Sequence, residues 1–135
     1  MPELKRKGSI TELQCMTAFI QQGYTVSIPY GDAARYDFIA DKNGVLQRVQ
    51  CKTATPLKDG SGFKFGVRST RINTKATIST PYTKADIDVF ATYFDGNCYV
   101  VPVEDCGTTA KTLRMTPPKH NQQAFINYAV DYLLK

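Results

Sequence analysis

The chain is predicted to be an α/β protein with a mixed central β-sheet flanked by helices. Three observations carry that expectation. Ile10, Leu13, Met16, Phe19 and Ile20 recur at helical spacing near the start. Two pairs of β-favouring runs are joined by tight-turn residues, Asn43-Gly44 and Asp95-Gly96-Asn97. Phe125, Ile126, Ala129, Val130 and Leu133 recur at helical spacing near the end. Helix first, hairpins between and helix last fit a sheet covered by helices.

The elements follow in order. Ser9 can cap a helix running to about Gln22, which Gly23 closes. Tyr24 to Ile28 is a short strand ended by Pro29, and Tyr30 to Arg35 is a loop containing Gly31 and Asp32. Tyr36–Asp41 and Val45–Lys52 are the arms of the first hairpin. A loop with Pro56, Gly60 and Gly62 precedes a strand at Phe63–Val67. Residues 69–84 read as an extended polar excursion. Asp88–Phe94 and Cys98–Val103 form the second hairpin, and Asn121–Leu134 is the closing amphipathic helix.

At 135 residues, with 42% hydrophobic and 21% charged, the chain has the size and composition of a single globular domain, 1–135. No apolar run is long enough to span a bilayer, so no membrane role is expected. The charged start, Met1 to Lys7, lacks the apolar run of a secretory signal. Cys15, Cys51, Cys98 and Cys106 contain no close pair, and His120 is the single histidine. That spacing argues against a structural zinc site and for reduced thiols in a cytoplasmic setting. His120, among Pro118, Lys119 and Asn121, reads as a loop residue.

Net charge is +5, from 17 basic and 12 acidic residues, and its placement is uneven. Residues 42–84 hold nine cations (Lys42, Arg48, Lys52, Lys58, Lys64, Arg68, Arg71, Lys75, Lys84) against Asp59 alone, a net of +8. The flanking segments are slightly acidic. Seven small hydroxyl residues lie between Ser69 and Thr83. A basic tract can simply be a solubilising face. Here its concentration in one segment, with hydroxyl donors for phosphate oxygens, points to nucleic acid. A membrane surface would call for a basic amphipathic helix, which this Thr-, Ser- and Gly-rich stretch does not supply.

The first hairpin makes a geometric claim. With Asn43 and Gly44 as a two-residue type I′ turn, Lys42 faces Val45, Asp41 faces Leu46, Ile39 faces Arg48 and Asp37 faces Gln50. Opposed residues share a face, and Lys52 falls on the face of Gln50. Cys51 then points to the opposite, apolar side. An Asp, a Gln and a Lys thus converge. Hard cations such as Mg²⁺ take oxygen ligands, available from the Asp37 carboxylate, the Gln50 amide and the Cys51 backbone carbonyl. Lys52 would orient an attacking water, help deprotonate it, or stabilise phosphate charge. Glu12 would complete the site if the first helix packs across the sheet edge. Each has a plainer reading: Ser9-x-x-Glu12 is a capping box, and Asp37 and Lys52 are solvated strand-end charges.

Lys7-Gly8-Ser9-(x2)-Glu12, Tyr36-Asp37 and Val49-Gln50-Cys51-Lys52 together resemble the PD-(D/E)XK nuclease superfamily, and most closely its small group I intron-type homing endonucleases. Archaeal Holliday-junction resolvases are similar in the same motifs. Ser69-Thr70-Arg71-Ile72-Asn73, Asp86 to Ala91 and Tyr99 to Val103 extend the resemblance to the intron-endonuclease branch, over roughly residues 5 to 134. The resemblance implies a restriction-endonuclease-like core, Mg²⁺ (with Mn²⁺ as a substitute) and phosphodiester hydrolysis in double-stranded or branched DNA. It makes Asp37 the metal-binding Asp, Gln50 the occupant of the acidic position, Lys52 the motif lysine and Glu12 the helix acid. Tyr36 stands where the motif has proline. Gln50 removes one negative charge from the metal site, which is expected to weaken binding unless Glu12 compensates.

The expected DNA contacts are Arg35, Lys58, Lys64, Arg68, Ser69, Arg71, Asn73, Lys75 and Lys84. A homing-type enzyme leads. A resolvase-type nuclease and a catalytically inactive DNA-binding module on the same fold are the alternatives. Cutting both strands from a chain with one site implies a homo-dimer or homo-tetramer.

Overall fold

A computed structural model describes residues 1–72, 75–117 and 126–135. The expected α/β architecture is present: a mixed sheet with one α-helix among the described residues. Helix α1 (Glu3–Gln21) begins six residues before the expected start. Pro2 fixes the entry and the run Glu3-Leu4-Lys5-Arg6-Lys7 consists of good helix formers, so nucleation does not wait for Ser9. Ser9 is therefore a mid-helix residue. The capping-box reading of Glu12 is thereby removed.

Five strands form the central sheet in the order β1-β2-β3-β8-β9. They are β1 (Thr25–Ser27), β2 (Phe38–Lys42), β3 (Val45–Cys51), β8 (Val89–Phe94) and β9 (Asn97–Pro102). Pairing is antiparallel except between β3 and β8, which run parallel. The β2–β3 register is the expected one, from Lys42 with Val45 to Phe38 with Val49. Asn43 and Gly44 both have positive φ (54° and 79°), as a type I′ turn demands. Asp95 and Gly96, at 50° and 82°, close the β8–β9 hairpin in the same way.

The crossover from β3 to β8 carries β4 (Thr55–Pro56), β5 (Gly62–Gly66), β6 (Arg68–Ile72) and β7 (Thr77–Pro81). Strands β4 and β5 join β10 (Ala110–Arg114) in a three-stranded sheet of order β10-β5-β4. Among the described residues, strands β6 and β7 pair only with each other, as an antiparallel ribbon. The expected polar excursion is this ribbon.

The central sheet buries both faces. On one, α1 contributes Cys15 and Phe19 to a core with Phe38, Ala40, Val49, Val89, Ala91 and Cys98. On the other, Phe90, Tyr99 and Val101 pack on Phe63, Phe65 and Leu113 of the smaller sheet. Successive residues of β8 alternate between these cores, which is why Val89-Phe90-Ala91 reads as an unbroken apolar run. Each buried Phe or Val adds about 1.5–3 kcal/mol of apolar transfer free energy.

Two expectations are corrected. The face of α1 that meets the sheet is Thr11, Cys15 and Phe19, leaving Ile10, Leu13 and Ile20 exposed. The closing helix is not formed in its described part. Its residues 121–125, with Phe125, lie outside the described residues, as does His120. Beyond them Tyr128 bridges to Arg114, a 3-10 turn spans Ala129–Tyr132, and Leu133 bridges to Tyr99. The Leu134 amide donates to the Cys98 carbonyl at 3.0 Å. The open edge of β9 offers backbone hydrogen bonds that a free-standing amphipathic helix would forgo.

Candidate active site

Asp37 lies one residue before β2, and its amide donates to the Val49 carbonyl at 2.8 Å, so Asp37 and Phe38 both stand against Val49 and the chain steps off the register that would have paired Asp37 with Gln50. Its Oδ2 accepts the Cys51 backbone N–H at 2.7 Å. With its amide oriented to match its neighbours, Gln50 donates from Nε2 to Asp37 Oδ2 (3.3 Å) and to the Arg35 carbonyl (2.9 Å). Its Oε1 accepts from the Tyr82 hydroxyl (3.3 Å). The sequence suggested that the amide oxygen would serve a metal. In this arrangement the NH₂ end faces the carboxylate and the oxygen faces Tyr82. Cys51 turns its thiol to the helix-side core, as the strand alternation requires.

Lys52 follows β3, where its amide donates to the Ala91 carbonyl at 2.9 Å. Its ammonium donates to the Arg68 carbonyl at 2.7 Å and lies 5.0 Å from the Tyr82 ring centroid. One bond leaves two ammonium protons for other acceptors. Burial holds the Lys52 pKa below the usual lysine range, Asp37 opposes that shift, and Arg35 adds to it.

Helix α1 crosses the end of β3, where the Thr11 and Thr53 hydroxyls lie 3.5 Å apart. That crossing brings Glu12 to the site. Its pKa is raised, first by burial and then by the charge of Asp37. The Asp37 pKa is also raised by burial, against the lowering effects of the Cys51 N–H and the Lys52 ammonium. Two partly buried carboxylates held above their ordinary range are a site that a cation would relieve. Among the described residues no hydrogen bond or ion pair engages Glu12 or Asp37 Oδ1. No group of three or more His, Cys, Asp or Glu side chains there could hold a metal by itself. Two carboxylates with open positions fit Mg²⁺, which binds through one or two carboxylates plus water and substrate phosphate.

Asp37 and Gln50 open onto a cleft lined also by Asp32, Ala34, Arg35 and, from the ribbon and its root, Ser69, Thr70 and Tyr82. No sequence motif assigned Tyr82 a role; its site partners Arg35, Gln50 and Lys52 lie 30 or more positions away. Arg35 stacks its guanidinium 4.3 Å from the Tyr82 centroid and pairs with Asp86 at 2.7 Å.

The structure scatters the remaining DNA-contact candidates. Lys58, Lys64, Lys75 and Lys84 are exposed. Lys84 makes a loose pair with Glu104 at 3.8 Å. Arg68 braces the ribbon, donating to the Ser79 hydroxyl (2.7 Å), the Ser79 carbonyl (3.0 Å) and the Thr108 carbonyl (3.0 Å). Arg71 sits in β6 opposite Ile78, and Asn73 lies outside the described residues.

Comparison with known proteins agrees with this geometry. The family model described as PD-(D/E)XK endonuclease matches residues 3–135. Protein 5.3 of Escherichia phage T7 is 28% identical over 95 residues, covering 70% of this chain and 76% of that protein. The solved structure of a bacterial homing endonuclease, I-Ssp6803I, superposes with a TM-score of 0.77 at 25% identity. That match covers 98% of this chain and 89% of the other.

Proposed function

Because the chain belongs to the PD-(D/E)XK endonuclease family, we propose that it is a divalent-metal-dependent DNA endonuclease of the homing type, hydrolysing phosphodiester bonds. One observation carries the reading. Asp37, Gln50 and Lys52 come together at the end of a hairpin, with Glu12 near Asp37 from α1 and a polar ribbon beside them.

In this reading Asp37, Glu12 and the Cys51 carbonyl hold Mg²⁺, or Mn²⁺ in its place. A bound ion would polarise the scissile phosphate and stabilise charge building on its oxygens. Gln50 orients Asp37 through its NH₂ group and adds no charge. Lys52, partly desolvated, orients the attacking water and offers protons to the phosphate. The segment 42–84 meets the DNA: Lys58, Lys64, Lys75 and Lys84 hold phosphates, and the ribbon enters a groove, which a two-stranded β-ribbon fits. Arg35 and Ser69 line that approach, with Arg68 shaping the ribbon, and the expected contacts of Arg71 and Asn73 remain part of the reading.

One site cuts one strand, so the working form is a homo-dimer or homo-tetramer. The exposed apolar stripe of Ile10, Leu13 and Ile20 on α1 suits a contact between copies. Light scattering that finds only monomer during double-strand cutting would refute the assembly.

A second reading is an inactive DNA-binding module, favoured by the neutral Gln50 amide standing where an acid would serve a metal. Cleavage of supercoiled plasmid and a four-way junction with Mg²⁺ or Mn²⁺ separates the readings. Metal-dependent cutting lost in Asp37→Ala and Lys52→Ala supports the nuclease. DNA binding without cutting, unchanged in both variants, supports the module. A preference for the junction over linear duplex would move the assignment to the resolvase type.

A further inference from the structure

Tyr82 follows the last residue of β7 and sits where the ribbon joins the body. Its ring packs edge-on against Phe90 (5.5 Å, 88°) and carries two cations, Arg35 at 4.3 Å and Lys52 at 5.0 Å. Its hydroxyl faces Gln50, with the Ser69 hydroxyl, on β6, and the Arg35 guanidinium close enough to favour the phenolate. Tyr82 donates to Gln50 Oε1 at 3.3 Å, and Gln50 Nε2 donates to Asp37 Oδ2 at 3.3 Å. The bonds run one way, from the root of the ribbon to the carboxylate: Tyr82 to Gln50 to Asp37.

A glutamine amide is nearly symmetric in shape, and its neighbours decide which end points where. The Arg35 carbonyl, 2.9 Å from Nε2, is an acceptor, and so is Asp37. Tyr82 is the donor that fixes the oxygen end. Without the hydroxyl, Oε1 loses its partner, and rotation of the amide would set oxygen against the Asp37 carboxylate. Two further ties join the same root to the site: Lys52 Nζ to the Arg68 carbonyl at 2.7 Å and Arg35 Nη1 to the Pro81 carbonyl at 3.3 Å.

We propose that Tyr82 is a positioning residue: its hydroxyl sets the orientation of the Gln50 amide, and through it the ribbon fixes the geometry of Asp37 and Lys52. The proposal rests on the endonuclease reading for its consequence in cleavage but not for its geometry. A ribbon seated badly on DNA would displace Tyr82 and with it the chain of bonds, linking site recognition to cutting.

The test uses Tyr82→Phe, which keeps the ring under both cations, and Ser69→Ala as a milder change beside the same hydroxyl. The first readout is the Gln50 side-chain amide in metal-free, DNA-free protein, assigned by NMR with Gln50→Glu. Tyr82→Phe is expected to shift both amide protons and speed their solvent exchange about tenfold, with Ser69→Ala moving them in the same direction by less. The second readout is cleavage, expected to slow about tenfold in Tyr82→Phe with DNA affinity within about twofold of wild type. Unchanged Gln50 signals overturn the proposal whatever happens to cleavage, as does unchanged cleavage with displaced signals. If Tyr82→Phe fails to fold, Ser69→Ala decides on the same signals. If wild type and Asp37→Ala alike cut nothing, the endonuclease reading fails, while the signals still decide the orientation of Gln50.

Discussion

The two ends of the segment Arg48–Lys52, which runs from the middle of β3 to the residue after it, treat charge in opposite ways. At one end Arg48 donates from Nε to Asp88 Oδ2 at 3.1 Å and from its terminal nitrogens to the Ala85 and Lys84 carbonyls at 2.9 and 2.7 Å. Asp88 also takes the Arg48 amide at 2.8 Å, and hydrogen bonds from Arg48 hold its carboxyl below the usual range. At the other end, four positions along the same face, Lys52 is held below its ordinary range, and Asp37 and Glu12 are held above theirs. One end is electrostatically satisfied and anchors the crossover. The other is electrostatically uncomfortable, which is where a cation and a phosphate would be welcome. A charged residue on a strand is thus informative less by its type than by whether its partners are already present.

The largest test of that contrast is catalytic. Asp37→Ala and Lys52→Ala are expected to lower plasmid cleavage about a thousandfold or more, the scale of losing a group that acts on developing charge. Arg48→Ala, at a temperature where it stays folded, is expected to lose less than tenfold. Equal losses in all three would erase the distinction between the ends.

Next in size is binding. If exposed Lys58 and Lys64 hold phosphates, each change to Ala should weaken DNA binding uniformly across sequences. Each should also reduce the slope of log affinity against log salt by about one. Arg48→Ala should leave that slope unchanged. Fluorescence anisotropy over a salt series reads both.

Stability should divide the other way. Arg48→Ala is expected to cost about 1–2 kcal/mol in urea unfolding, since it removes hydrogen bonds and a half-exposed ion pair whose own worth is small. Lys52→Ala should be neutral or mildly stabilising without metal, because it removes a partly buried charge.

The smallest effect is also the most specific, because the two ends should respond to acid with opposite signs. Asp88 has a folded pKa below its ordinary 3.8, so its contribution is complete above that value and is lost as pH falls through the folded one. Asp37 and Glu12 have folded values above 3.8 and 4.5, so their contribution is present below those values and is lost as pH rises through the folded ones. Thermal midpoints of metal-free protein from about pH 3 to pH 7 should therefore lose an acid-side decline in Asp88→Asn and an acid-side gain in Asp37→Asn. A change of the same sign in both variants would break the comparison.

What the sequence revealed follows the range of the interactions involved. The β2–β3 hairpin was legible because Asn43-Gly44 sets the turn locally and fixes the register from Lys42 with Val45 to Phe38 with Val49, while the step off register at Asp37 was not. Helix α1 was legible as a helix but not in its facing. Helical spacing of Ile10, Leu13 and Ile20 competes with Thr11, Cys15 and Phe19, and only the sheet chooses between them. The terminal segment has helical periodicity, yet the edge of β9 takes it as extended chain. Strand β10 escaped notice because one of its two buried side chains is Lys111, whose ammonium donates to the Asp105 carbonyl at 2.8 Å. Tyr82 and the Arg68 carbonyl reach the site from the far end of the crossover, and no local pattern announces them.

The ribbon's separate pairing has a consequence for how such a chain can change its target. Arg68 and Pro81 are partners at its base, and among the described residues neither strand pairs with another. Its length is therefore a ruler decoupled from the body. Adding one residue to each strand would extend the reach by about 3.4 Å. Each added pair also reverses which face the new outermost side chains present, so reach and reading face advance in fixed phase. Lineages could drift along that ruler in even steps, keeping the base and its grip on Tyr82 in register.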